Sequence, residues 1–329
     1  MTARIILLVT SPRLPAGLLT AAAWDALRAY PVFAAAESEQ AAVLRQSGVP
    51  VTVIDPDPSL VIDALGDREA VVWLAGPAGD QDFARQLGLR LTRSPELAEL
   101  ELMYGSWDPP GARLLDAVAV LDRLVSPGGD PWKRAQNHRT LAPYLLEEAY
   151  EAYDAIETGD LAALREELGD VLLQVVLHAR LAEELPDGAA WGIDDVAGGL
   201  VDKMVRRNPH VFAGAEVADI EEITDNWERI KKAEKSRDSV LDGIALSQPA
   251  LALAAKILQR VERAGLDVPL PAGDELGPAL LRLVAEARAA GADAEAEVRR
   301  AALDYAEQVR STERIGVRSA EPKIVGPAE

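Results

Sequence analysis

The chain has 329 residues and a formal net charge of −20, with 49% hydrophobic and 27% charged residues, a soluble-protein balance spread over too much length for one core. The charge argues against a nucleic-acid polymer as partner, and no apolar run approaches the ~20 residues a membrane helix requires. The absence of cysteine excludes disulfides, thiolate metal sites and a cysteine nucleophile, and a cytoplasmic location is expected.

Residues 1–105 read as a small α/β domain, a relic of a larger one or a regulatory module. "RIILLVT" (Arg4–Thr10), "PVFAAA" (Pro31–Ala36), "VTVIDP" (Val51–Pro56) and "AVVWLAG" (Ala70–Gly76) are short apolar runs bounded by turn residues, with helical patterns between them. That alternation predicts a parallel sheet, and no glycine-rich nucleotide fingerprint accompanies it. After the turn-rich "YGSWDPPGA" (Tyr104–Ala112), helical periodicity predominates. Amphipathic helices are predicted over Ala112–Ser126, through much of Leu141–Glu234, over Pro249–Gly265, and over 275–290 and 294–312. The fold class is therefore mainly α, with a helical domain over 112–240, a second helical unit over 241–313 and a disordered tail over 314–329.

The chemistry concentrates in "LLEEAYEAYDAIETGDLAALREELGDVLLQVVLHA", residues 145–179. Glu148 and Glu151 lie at i, i+3 on one helix, and Glu167 and Asp170 repeat that spacing on the next. Side chains so spaced are neighbours on a helix surface. With "ETGD" as the turn, the helices fold into an antiparallel hairpin whose acid pairs face each other. The second helix is apolar nearly all round, which predicts burial. Close carboxylates repel and are costly to desolvate, and a hard divalent cation relieves both penalties. The three histidines, His138, His178 and His210, have neither HD-type nor Glu-x-x-His spacing, and His178 is expected to be packed and hydrogen-bonded.

Glu147-Glu148-x-x-Glu151 followed by Glu167-x-x-Asp170 resembles the signature of the all-α nucleoside triphosphate pyrophosphohydrolases, and among them the MazG family. "PWKRAQNH", "DKMVRRNPHVF", "NWERIKKAEK" and "LDGIALSQPALALAAKILQRVERAGLD" are similar to MazG segments in the same order, over Leu115–Asp267. The resemblance implies a helical-bundle homodimer. It also implies Mg²⁺-dependent cleavage (Mn²⁺ as a substitute) of a nucleoside triphosphate between its α- and β-phosphates. Metal ligands would be Glu148, Glu151, Glu167 and Asp170, with Glu147 behind them. Substrate contacts would come from Lys203, Arg207, Trp227 and Lys231, and more weakly from Trp132, Gln136 and His138. Two alternatives stay open: a narrower dUTPase-like or phosphoribosyl-ATP enzyme, and a non-catalytic helical interaction protein.

Two departures stand out. Where the family reads close to C-P-W-D-x-x-Q-T-H, this chain has Asp130-Pro131-Trp132-Lys133 and Gln136-Asn137-His138, with Lys133 in place of the acid and Asn137 in place of Thr, so a weakened substrate role is expected for this loop, in base selectivity above all. Separately, "DELGPALLRLVAEARAAG" (Asp274–Gly291) echoes "EELGDVLLQVVLHARLAE" (Glu166–Glu183), with Pro278 at the position of Asp170 and Asp304 at that of Lys203. This predicts a second unit of the same type that has lost its ligands and is structural.

Overall fold

The computed structural model describes residues 3–186, 188–217, 219–234, 238–273 and 275–319. They fall into two units, Met1–Asp202 and Lys203–Glu329. In the first, strands β1 (Arg4–Val9), β2 (Val32–Ala34), β3 (Val51–Val53), β4 (Ala70–Leu74) and β5 (Glu99–Tyr104) alternate with helices α1 (Ala21–Ala29), α2 (Glu39–Gln46), α3 (Pro58–Leu65) and α4 (Gln81–Arg93). The sheet is parallel throughout, in the order β3-β2-β4-β1-β5.

Alternation along β1 divides the core. Ile6 and Leu8 pack with residues of α1 and α2, while Ile5 and Leu7 pack with α3 and α4, as side chains of period two must. Covered on both faces, central β4 is buried along its whole length, which is why it reads as a continuous apolar run. Trp73 stacks on Phe83 beneath it, ring centroids 4.0 Å apart.

The strand reading missed β5. It lies at the sheet edge, pairing Ile5 with Leu100 and Leu7 with Leu102. Its residues are exposed or only partly buried, so Glu99 and Glu101 are tolerated between its leucines. The period-two pattern of "ELELMY" was the available signal.

The ends of β1 and β5 are tied to the next helix, α5 (Arg113–Val125). Arg13, following β1, pairs with Asp108, following β5, and donates through Nη2 to Asp116 of α5 at 2.7 Å. Ser11 Oγ also donates to Asp108. The sheet and the first helix of the region 112–240 thus share one ion-pair cluster, and both lie in the same unit.

Beyond α5 come α6 (Pro131–Arg134), α7 (His138–Thr158), α8 (Leu161–Ala182) and α9 (Ile193–Arg207). Asn137 and Thr140 form a capping box at the start of α7, satisfying N–H groups the first turn leaves open. Gly159, in the left-handed region at φ 71°, ends α7, and the Asp160 carboxylate caps α8. The predicted "ETGD" turn therefore builds the hairpin by two adjacent caps.

Burial along α8 differs from the expected all-round pattern. Leu161 is 77% and Leu168 53% exposed, whereas Gln174, Val176, Leu177, Ala179 and Ala182 are buried. The reason is that α5 packs only over the C-terminal half. There Val125, Leu141 and Leu177 form a small core flanked by Leu173 and Leu181, and Arg180 Nε donates to Asp122 at 2.6 Å. On α7, Ala152 and Ala155 are buried while Leu145 and Ile156 are exposed.

The second unit holds the end of α9, then α10 (Pro209–Phe212), α11 (Ile220–Ala233), α12 (Ala250–Arg263), α13 (Leu276–Ala289) and α14 (Ala294–Ser319). Helix α12 packs on α13 and α14, with Val284 buried. Pro278 sits in the first turn of α13, where its missing N–H costs nothing. Asp274, which opens the internal echo, lies outside the described residues. Helix α14 runs past 312 to Ser319, so 314–319 are helical. Residues 320–329 of the expected tail lie outside the described residues. No helix among the described residues is long and apolar enough to cross a membrane.

Candidate active site

Two adjacent helices bring the acids together. From α7, Glu148 and Glu151, and from α8, Glu167, each offer a carboxylate oxygen within 4.8 Å of the others. Asp170 stands outside that triple, yet its negative charge is felt at both Glu148 and Glu167. Glu147 is exposed, and Glu148, Glu167 and Asp170 are partly buried.

Proton affinities report the crowding. Desolvation, then the charges of Asp170, Glu151, Glu147 and Glu167, raise the Glu148 carboxyl above the usual range. Glu167 is raised by desolvation, then by the charges of Glu151 and Asp170 and a hydrogen bond shared with Glu151. Carboxylates held this close favour either a proton or a cation between them. An all-oxygen donor set suits a hard divalent ion that retains some of its water. The arrangement can therefore present a cation to a phosphate, with the apolar C-terminal half of α8 as a rigid support.

The other expected site residues of this unit already have local partners. Trp132 on α6 is half exposed, meets Tyr144 edge to face at 5.8 Å and has Lys133 Nζ 5.7 Å from its ring centroid. Gln136 donates to the Trp132 carbonyl at 2.9 Å. His138, the first residue of α7, has Nδ1 2.8 Å from Nδ1 of His178. Their rings are parallel with centroids 5.1 Å apart, and His138 also stacks with Trp191 at 6.3 Å. Burial and the neighbouring His138 hold His178 below the usual imidazole range. Ten residues of helix separate His138 from Glu148, about 15 Å; the histidine pair is not part of the acid cluster.

In the second unit, Arg207 ends α9, with Lys203 one turn before it, and α11 carries Trp227 and Lys231. Arg207 Cζ lies 5.2 Å from the Trp227 ring centroid. Sequence reasoning missed Glu234, the residue that closes α11. Its carboxylate accepts from Arg206 Nε at 2.7 Å and from Arg207 through Nε at 3.2 Å and Nη2 at 2.5 Å. Those hydrogen bonds, Arg207's first, lower its pKa to about 2. Two signals were present: Glu234 lies seven residues after Trp227, hence on the same helix face, and an acid at a helix C-terminus opposes the dipole unless it is paired.

Residues 136–212 match the MazG nucleotide pyrophosphohydrolase domain, a span that holds all five acids of the motif together with Lys203 and Arg207. Across 290 residues the chain is 47% identical to the nucleoside triphosphate pyrophosphohydrolase of Mycolicibacterium smegmatis, covering 80% of this chain and 85% of that protein. It is 44% identical over 204 residues to the Mycobacterium tuberculosis protein of the same name, covering 62% of this chain and 59% of that one. An uncharacterized 26.1 kDa protein of Streptomyces cacaoi is 47% identical over 220 residues, 66% of this chain and 90% of its own length. The matched domain and the extent of these likenesses give the same answer as the acid motif: the chain belongs to the MazG family of nucleotide pyrophosphohydrolases.

Proposed function

We propose that the protein hydrolyses nucleoside triphosphates, ribo or deoxy, between the α- and β-phosphates, releasing a nucleoside monophosphate and pyrophosphate and so clearing unwanted nucleotides in the cytoplasm. The observation that carries this reading is the convergence of Glu148, Glu151 and Glu167 from two helices, with Asp170 acting on the group. In this reading the four acids hold Mg²⁺, with Mn²⁺ as a substitute, and Glu147 supports them from outside. Such an ion, when bound, polarises the phosphate, activates water and neutralises the pyrophosphate leaving group. Lys203, Arg207 and Lys231 contribute charge-assisted hydrogen bonds to phosphate oxygens, and Trp227 offers a stacking face to the base. Trp132, Gln136 and His138 have a lesser part, consistent with their local partners. The 241–313 region is a structural relic of a second unit, since Pro278 has no ligand atom.

A homodimer is part of the proposal. Leu145, Leu146, Tyr150, Ile156, Leu161 and Leu168 are exposed on the hairpin, and apolar side chains grouped on one surface mark a site of protein–protein contact. A second copy would cover it.

Incubation of the purified protein with each nucleoside triphosphate and Mg²⁺, followed by separation of the products, tests the reaction. Monophosphate and pyrophosphate are expected; diphosphate with orthophosphate, or no turnover, rejects it. Turnover confined to dUTP or phosphoribosyl-ATP would favour the narrower enzyme.

The cation has its own test. Because Glu148 and Glu167 are raised above ordinary carboxyls, the folded site holds protons more tightly than the unfolded chain. Stability of the metal-free protein is then lost as pH rises through the raised values, and a cation removes that penalty only above them. Mg²⁺ should raise the melting temperature by several degrees at pH 7.5 and by clearly less at about pH 4, at or below the ordinary glutamate value. An equal gain at both values would place the ion elsewhere.

A further inference from the structure

Glu234 is an acid at the C-terminal end of α11, where the helix dipole disfavours negative charge. It is stabilised there by Arg206 and Arg207, which direct three nitrogens onto its two oxygens. The side chains of Arg207 and Glu234 are only 13% and 14% exposed, so that pair is largely enclosed, while Arg206 reaches it from a side chain that is 53% exposed. Two guanidiniums converging on paired oxygens is also the way proteins hold phosphate. Trp227 lies on the same face of α11 two turns before Glu234, and Arg207 Cζ is 5.2 Å from its ring centroid, within the ~6 Å at which a cation is attracted to an aromatic face.

We propose that Glu234 is an internal stand-in for the triphosphate: it occupies the phosphate-binding edge of Arg206 and Arg207 in the unliganded protein, and the substrate's phosphates displace it. The proposal rests on the reading that Arg207 and Trp227 serve nucleotide binding, and it adds an order to that binding. While Glu234 retains Arg207, the guanidinium covers a face of Trp227 that a base would need for stacking. A triphosphate has more charge and more acceptor oxygens than one carboxylate, so it draws Arg207 away and exposes the indole. A nucleoside without phosphates cannot do this. Phosphate therefore binds first and base stacking follows, which favours triphosphates over the monophosphate product. A ligand shifts such an equilibrium only by its preference for one state, and here that preference is the exchange of one carboxylate for a polyphosphate.

The test uses the full-length protein and inorganic tripolyphosphate, without divalent metal, so that binding is read apart from hydrolysis and from the acids of α7 and α8. Glu234→Gln removes the competing charge at constant size and should bind tripolyphosphate about tenfold more tightly than wild type, within the range of ordinary coupling between sites. Glu234→Asp keeps the charge but withdraws it by one methylene, and should bind more tightly by a smaller factor; it carries the test if the glutamine variant does not fold. In wild type, tripolyphosphate but not a nucleoside should change the tryptophan emission, and Trp227→Phe should abolish that change. Binding by both Glu234 variants no tighter than wild type, or an emission change produced by nucleoside alone, overturns the proposal. Tighter tripolyphosphate binding in a protein that hydrolyses no nucleotide would reject the catalytic reading instead.

Discussion

Glu151→Gln is expected to lower kcat/KM for a nucleoside triphosphate by about 10²–10³-fold, the order seen when one group stabilising a transition state is removed. The substitution keeps the side chain the same size and removes one charge from the Glu148–Glu151–Glu167 triple. Glu167→Gln and Asp170→Asn should behave alike. Glu147→Gln, exposed beside the cluster, should cost no more than the roughly 10–100-fold typical of groups that support a metal ligand. Thermal melting separates chemistry from folding. In metal-free protein the four acids repel, so Glu151→Gln should leave the melting temperature unchanged or raise it, while abolishing the stabilisation by Mg²⁺. A variant that keeps more than a tenth of wild-type activity, or loses activity only by unfolding, would remove Glu151 from the site.

The second large effect is on stability. Leu177 is 1% exposed and packs with Val125 and Leu141, the small core that joins α5 to α8. Leu177→Ala should destabilise the protein by about 2–5 kcal/mol, the range for a buried leucine that leaves a cavity, measured by denaturant unfolding. Leu161, at 77% exposure on the same helix, supplies the contrast. Within one subunit Leu161→Ala should change little. If a second copy covers the hairpin, its cost should appear as a melting temperature that falls on dilution. Equal, concentration-independent losses for both variants would contradict the dimer, and a negligible loss for Leu177→Ala would contradict the packing.

Local features were legible to different depths. The hairpin with its turn at Gly159–Asp160 and the two i, i+3 acid pairs depend on residues a few positions apart, and they follow from helical geometry alone. β1 and β4 were equally plain, because strands covered on both faces read as apolar runs. β5 was hidden by its position: an edge strand carries Glu99 and Glu101 without penalty. Leu161 and Leu168 are exposed within one subunit, since periodicity shows that a face is apolar, not which neighbour covers it.

Chain order and residue spacing thus account for the acid motif, the hairpin that presents it and the mainly helical class, since each arises from bonds and neighbours within a turn or two of helix. The union of Arg13 with Asp116, the pairing of His138 with His178, the restriction of burial to half of α8, and the capture of Arg206 and Arg207 by Glu234 join residues 27 to 103 positions apart. No local pattern encodes such pairs, because their energy depends on which surfaces the packed helices and sheet bring within a few ångströms and withdraw from water.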